Sequence, residues 1–559
     1  MEVLKKNYRF VNRNPQKIMK LERLGSFFPH RLSFMRIFIR NLTRQKIDFK
    51  TNIVNLDDNG FGYIILSVSL NSNIYSLIAF SNKISKKERT DRVIANKWDA
   101  SFCLFRGIPN SKEINELSTK VTKQEGSRYN KNILTLSRAN KSIRLFDHVV
   151  DCLSNGLQPS IENITKIGYL MRTTAVYGNG KFGIADRDSV LENNFFLPPF
   201  QIEMLTVWLI REYTFLLVEY VAKQKNKNKF IKFDKNIKNY LVIGNATGLG
   251  MAPFLINHPN LLHNWIKCKE QALSRCLQVK KLNTFQITKF KNLINRALEH
   301  CKQWHVEDEI QSKKIKKLII ELDEFKEQFD ISQNYIFPHR KAILYTNSKS
   351  LEMQELMISI IIEIHSELVD ELELQLSNEK KLKIFPEMSL SKLRRLIYEN
   401  YRFAIDLDIA KKNTQQNFWY TSAEKLEPRL GNRFLDEGSN LEMPLNNLLY
   451  IKDLISKLDK EKQDISVAEF LIKYPNQRYI IRRVQNTNQY PYSEIYDNLV
   501  SADCRPIDLL RCKLSFFGAS KFDPKSDKWT RITLFQGAPT AELLYSEDAE
   551  DWLFPVTPT

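Results

Sequence analysis

The chain has 559 residues, with 84 Lys plus Arg against 64 Asp plus Glu and a formal charge of +20. Hydrophobic residues make up 43% and aromatics 11%, which excludes a disordered tail protein, and the length suits two to four domains or one large core with an insertion. No run of about 20 apolar residues occurs, which excludes a spanning helix; the most apolar long segment, Phe200–Ala222, still carries Glu203, Arg211, Glu212 and Glu219.

The positive charge is spread along the chain, whereas nucleic-acid binders concentrate theirs. Lys, Asn and Ile are abundant and Gly is only 17, a mixture that an AT-rich genome favours, so part of the charge is compositional. The seven cysteines are odd in number and form no C-x-x-C, which argues against a disulfide framework or a zinc ribbon and for a reducing, cytoplasmic setting.

Met1–Lys50 is basic but lacks the apolar stretch of a secretory signal. Within it, Leu32–Leu42 is amphipathic and reads as a helix docked on the core; a membrane-surface helix or an organellar presequence is the alternative. Asn52–Gly107 reads as antiparallel sheet, with strands at Phe61–Leu70, Ile74–Phe80 and Trp98–Phe105 and a helix over Ser85–Asn96. Ser142–Leu153 reads as a helix, Tyr169–Asp186 as a hairpin, and Phe200 to Lys223 as a long helix. The basic stretch Lys225–Lys238 reads as an exposed loop, and Tyr240–Gly244 as a strand.

From Asn260 to Phe329 the pattern is helical with a break near Asn283, followed by a strand at Lys341–Thr346. A helix of about 28 residues comes next, with Leu356, Ile360, Ile364, Leu368 and Leu372 on one stripe. The remainder reads as strands at Gln477–Val484, Lys513–Phe517 and Thr530–Phe535, with helices at Ser391–Tyr401 and Leu445–Leu458. The expected fold class is α+β, antiparallel sheet elements with a large helical region in mid-chain. Four parts follow: a basic segment 1–50, an α+β part 51–259, a helical region 260–380 and a C-terminal α+β part 381–559.

Six of the 17 glycines fall in two short windows. Glycine is needed where the backbone takes positive φ or approaches a ligand closely. In the first window, Gly178, Gly180 and Gly183 spell G-x-G-x-x-G, but Phe182–Ala185 reads as extended, so neither a dinucleotide loop nor a kinase loop is supported. A hairpin turning at Asn179-Gly180 remains, flanked by Arg172, Thr174, Tyr177, Lys181, Asp186 and Arg187. Arg and Lys beside backbone amides suit phosphate or carboxylate.

In the second window the strand Tyr240–Gly244 runs into a glycine loop, Asn245 to Gly250 with Thr247 and Gly248 in it, and then into an expected helix with Pro253 near its first turn. Strand, glycine loop and helix N-terminus make an anion site by geometry. The same spacing occurs in short-chain dehydrogenases, but there it opens the first β-α-β unit, and here it lies mid-chain. His258 follows eight residues later as a possible general base. The other histidines form no metal-binding pattern. Glu363, Glu367 and Glu371 read as a charge-paired face, and Ser389-x-x-Lys392 and Ser422-x-x-Lys425 as chance matches to a serine acylase motif.

These readings lead to an enzyme of transferase or hydrolase type acting on an anionic, perhaps phosphorylated, small molecule. Arg172, Thr174, Tyr177, Asn179, Gly180, Lys181, Arg187, Asn245, Thr247 and Gly248 would bind it, and Asp186 or His258 would move the proton. No cofactor, metal or oligomeric state is indicated. The alternatives are a basic nucleic-acid-binding protein and a scaffold that binds a partner through the helical region.

Overall fold

The computed structural model describes residues 12–70, 72–85, 98–121, 131–178, 190, 193–248, 255, 258–377, 382–406, 419–421, 428–430, 440–442, 445–495, 506–526 and 529–558. The fold is α+β, as expected. Its strands are β1 (Asp48–Leu56), β2 (Gly62–Leu70), β3 (Asn73–Ser81), β4 (Ala100–Arg106), β5 (Ile133–Lys141), β6 (Tyr169–Gly178), β7 (Val242–Gly248), β8 (Trp419–Thr421), β9 (Pro428–Leu430), β10 (Asn440–Glu442), β11 (Phe522–Ser526) and β12 (Trp529–Leu534). Nine of them form one sheet in the order β1-β2-β3-β4-β5-β6-β7-β12-β11; β8, β9 and β10 form a small second sheet.

The strands β2 to β4 are apolar on both faces because both faces are covered. Ile64, Leu66, Leu77, Phe102 and Leu104 enter the main core. Ile65, Ile78, Cys103 and Phe105 turn the other way and meet Ile114 and Leu117 of the helix Ser111–Lys120. That is why the alternation of Phe61–Leu70 is only partial.

Every neighbouring pair in the large sheet is antiparallel except β6 and β7, which run parallel. Parallel neighbours need a crossover. Here it contains the helix Gln201–Lys225, 25 residues and about 38 Å long. This helix packs on the main-core face of the sheet, with Trp208 against Phe49 of β1 at 5.9 Å. On its far side lies the helix Phe34–Arg44, whose Phe38 meets Trp208 at 6.2 Å. Residues Phe34 to Leu42 are all buried, so the amphipathic N-terminal segment is docked on the core.

The same core continues into the helices Pro259–Cys276, Thr284–Lys302, Glu309–Gln328 and Leu351–Glu363. The expected break near Asn283 is a capping box, Asn283 with Gln286. A second apolar core, from Leu390 to Val484, joins the helices Leu390–Ile405, Leu445–Leu458, Val467–Lys473 and Arg478–Asn486.

Several expected elements differ. The end of the expected loop Lys225–Lys238 is the start of a helix, Lys235–Tyr240, capped by Asp234, and the strand expected at Tyr240–Gly244 runs instead over Val242–Gly248, so Asn245, Thr247 and Gly248 are strand residues rather than a loop. Four others differ in kind or length. Lys341–Thr346 is not a strand but the end of the helix Pro338–Thr346, started by Pro338 at its first position. Gln477–Val484 is helical within Arg478–Asn486, and Lys513–Phe517 closes the helix Pro506–Phe517. In each case a short apolar run fits either period. The fourth, the long helix after Ser350, stops at Glu363. His365 takes φ −121° and ψ 62°, and a short helix Ser366–Val369 and a 3₁₀ segment Asp370–Ser377 follow. The bend is held by the His365 ring, with Nε2 2.7 Å from His339 Nε2 and Nδ1 2.9 Å from Glu367 Oε1.

Candidate functional site

The parallel pairing of β6 with β7 sets Arg172 opposite Gly244 and Thr173 opposite Asn245. The strands run the same way, so both leave the sheet at their carboxyl ends on one edge. β6 ends at Gly178 and β7 at Gly248, each the first or middle glycine of its window. The fold therefore brings Gly178 and Gly248, the described ends of β6 and β7, to one edge of the sheet, which no spacing in the sequence reveals. The antiparallel neighbours complete that edge: Thr135 of β5 pairs with Gly178, and Trp529 of β12 with Gly248.

The crossover helix begins at the same edge. Its Thr206 Oγ1 lies 2.7 Å from Thr135 Oγ1. One turn earlier, Glu203 is buried, and burial raises its carboxyl to about 8. Residues three apart are neighbours on a helix, so Glu203 stands one turn before Thr206. A buried carboxyl pushed up toward neutrality is of the kind that general acid work uses. In the sequence Glu203 marks only that this apolar segment is not a spanning helix; a lone Glu among apolar residues is the available signal.

Further along, Arg211 fixes the base of β7. Its guanidinium donates to the carbonyl oxygens of Leu241 (3.0 Å), Ala538 (2.8 Å), Lys238 (3.0 Å) and Asn239 (2.7 Å). Burial raises the neighbouring Glu212 to about 7, with Arg211 opposing that rise.

The expected site residues divide into three groups. Arg172 is half-buried on β6, where Asn140 of β5 is its partner on the side away from β7. Thr174, Tyr177, Asn245, Thr247 and Gly248 lie on β6 and β7 near the shared edge. Asn179, Gly180, Lys181, Asp186 and Arg187 lie outside the described residues, as do the second arm of the hairpin and the expected helix at Pro253. His258 is the half-buried N-cap of the helix Pro259–Cys276, and its side chain makes no capping hydrogen bond.

Gly244 has a packing reason of its own. A Cβ there would lie 2.5 Å from Cγ and 2.7 Å from Cδ1 of the Tyr169 ring. Gly244→Ala is therefore expected to cost about 1–3 kcal/mol by overpacking. Urea unfolding checks this, and Tyr169→Ala in the same chain should recover part of the loss. A Gly244→Ala protein as stable as the parent would show that the ring yields freely.

Among the described residues no group of three or more His, Cys, Asp or Glu is placed to hold a metal. None of their helices is long and apolar enough to cross a membrane. Of the carboxylates repeated at Glu363, Glu367 and Glu371, the first pairs with Arg36, the second with His365 and the third with Arg275. No protein-family model, no curated protein and no solved structure matches this chain.

Proposed function

We propose that this chain is an enzyme, of transferase or hydrolase type, that binds an anionic small molecule at the carboxyl edge of β6 and β7. The observation that supports this reading is the parallel pairing, which delivers Gly178 and Gly248, the described ends of β6 and β7, to one edge. Ligands of sheets with parallel strands bind outside the carboxyl ends, where loops and helix starts converge. Arg172 and Lys181 would neutralise the anion, Asn245 and Thr247 would orient it, and Glu203 joins Asp186 and His258 as a group that could move a proton.

A polyanion surface has less to draw on than the composition suggests. Arg13, Arg23, Arg31, Arg36, Arg40 and Arg44 in the basic N-terminal segment all face carboxylates of the fold. The pairing of these charges with carboxylates of the fold favours the small-anion reading over nucleic acid.

The test is thermal unfolding against sugar phosphates, carboxylates, nucleotides and short RNA, each at low and high salt. A ligand at 100 times its Kd stabilises by about 2.7 kcal/mol. The expected result is a small anion that stabilises the parent protein and fails to stabilise Arg172→Ala or Lys181→Ala. Stabilisation by RNA alone, lost at high salt, would overturn the reading in favour of nucleic acid.

A further inference from the structure

We propose that a cleft on the outer face of the helix Pro259–Cys276 is a second binding site, for a small organic monoanion bearing hydroxyl or amide groups. The cleft has a volume of about 230 Å³ and is walled by Asn260, His263, Asn264, Lys267, Gln375 and Gln489. It lies on the side of the helix away from the core: Leu262, Trp265, Ile266 and Lys269 are fully buried on the opposite face. Three separate elements converge on it: this helix, the 3₁₀ segment Asp370–Ser377 and the turn after the helix Arg478–Asn486.

The chemistry of the walls selects the occupant. The carboxamides of Gln375 and Gln489 supply donors and acceptors together, which suits hydroxyl or amide substituents, while those of Asn260 and Asn264 line the wall with partners of their own. The lining contains one cation, Lys267, and no carboxylate. Elsewhere on this helix the charges are matched: Lys269 with Glu355, Glu270 with Arg13 and Arg275 with Glu371. No carboxylate among the described residues pairs with Lys267, which leaves one positive charge facing a polar cavity. A single anionic head group completes it.

His263 adds a donor of fixed identity. Its Nδ1 accepts the backbone N–H of Tyr492 at 3.2 Å, so the ring proton sits on Nε2. The ring is held by stacking on Tyr492 at 5.7 Å and by the edge of Tyr490 at 5.2 Å. Burial and Lys267 keep it neutral, so Nε2–H remains a donor across the neutral range. Size sets the upper limit: 230 Å³ is below the roughly 300–1,000 Å³ of pockets for drug-sized ligands, which favours a small hydroxy- or amido-carboxylate or a short phosphodiester over a nucleotide.

Calorimetric titration of the full chain with D-glycerate, N-acetylglycine and dimethyl phosphate, each a monoanion at neutral pH, tests the site and separates carboxylate from phosphate. At least one probe is expected to bind the parent protein. Lys267→Met should weaken that binding at least tenfold, and Gln489→Trp, placed at the exposed rim, should block it, while both leave thermal unfolding unchanged. Arg172→Ala should leave it intact, which separates this cleft from the edge of β6 and β7. Absence of binding by all three probes at millimolar concentration overturns the proposal. So does binding that Lys267→Met and Gln489→Trp leave unaltered.

Discussion

Replacing Glu355 by Gln is expected to cost about 3–5 kcal/mol, because it leaves buried cations without their counter-charge. Glu355 is fully buried on the helix Leu351–Glu363. Its Oε1 accepts from Arg13 at 2.8 Å and from Arg23 at 2.9 Å, and its Oε2 meets Lys269 Nζ. Lys269 is itself fully buried, with Nζ 3.6 Å above the Phe27 ring. The three cations hold the Glu355 carboxyl far below the usual carboxylate range, although burial alone would raise it.

These contacts tie the chain before residue 30 to helices more than 200 residues away. Arg13 also grips Glu270, at 2.6 and 2.8 Å. Loss of the central carboxylate should therefore loosen the N-terminal segment first, and limited proteolysis should then cut between residues 12 and 30 before the core unfolds. An exposed pair gives the scale for comparison: Glu399→Ala, which removes the partner of Arg395, should cost under about 1 kcal/mol. Urea unfolding of the two variants side by side decides the matter. A Glu355→Gln protein no weaker than the Glu399→Ala protein would mean that the buried cations find other partners.

The parts of the fold that were legible in the sequence are those whose signal is local. The hairpin of β2 and β3 and the strand β4 carry a turn and apolar runs that announce themselves, and the helical pattern breaks visibly near Asn283, while the mostly exposed β1 has no apolar run to mark it. The parts that were not legible depend on partners distant in the chain. The apolar stripe from Leu356 to Leu372 continues across the bend at His365, so periodicity could not see the break made by His339. The two glycine windows were visible as composition, but the pairing of the strands that lead into them is a property of parallel strands joined through a buried crossover helix. The basic N-terminal segment looked like a surface charge because its carboxylate partners are hundreds of residues away. Glu203 passed unnoticed because a single Glu in an apolar helix acquires its proton only from burial.

Lowering the pH from 7 is expected to leave stability level at first and then remove it steeply. Three histidines stay neutral in the folded chain. Burial lowers His30 to about 3, His263 to about 4 and His339 to about 3. Geometry agrees: Nδ1 of His30 accepts the Leu32 N–H at 3.2 Å and Nδ1 of His263 that of Tyr492, bonds that a charged ring cannot accept. The unfolded chain protonates these rings below about pH 6.5, so their contribution is complete above that value and is lost as the pH falls toward the folded values. His300 adds little, since its two nitrogens face the carbonyl oxygens of Pro555 and Ser520, and only a charged ring donates to both. Glu203 and Glu212 act in the opposite sense. Raised to about 8 and about 7, they hold protons that the unfolded chain releases above about pH 4.5, so their contribution fades as the pH rises from there. Three groups against two leave a slope of about 1 kcal/mol per pH unit near pH 5.5. Below about pH 4.5 the two glutamates no longer oppose, Glu355 begins to lose its depressed-pKa stabilisation, and the slope grows to about 4 kcal/mol per pH unit. At that slope a total stability near the lower end of about 5–15 kcal/mol is exhausted within little more than one pH unit. Urea midpoints measured at half-unit steps from pH 7 to pH 4 should trace this bend. His30→Asn keeps an acceptor for the Leu32 N–H but cannot titrate, so it should lower the acid slope by about 1 kcal/mol per pH unit. An unchanged slope in that variant would place the acid sensitivity elsewhere than in the buried rings.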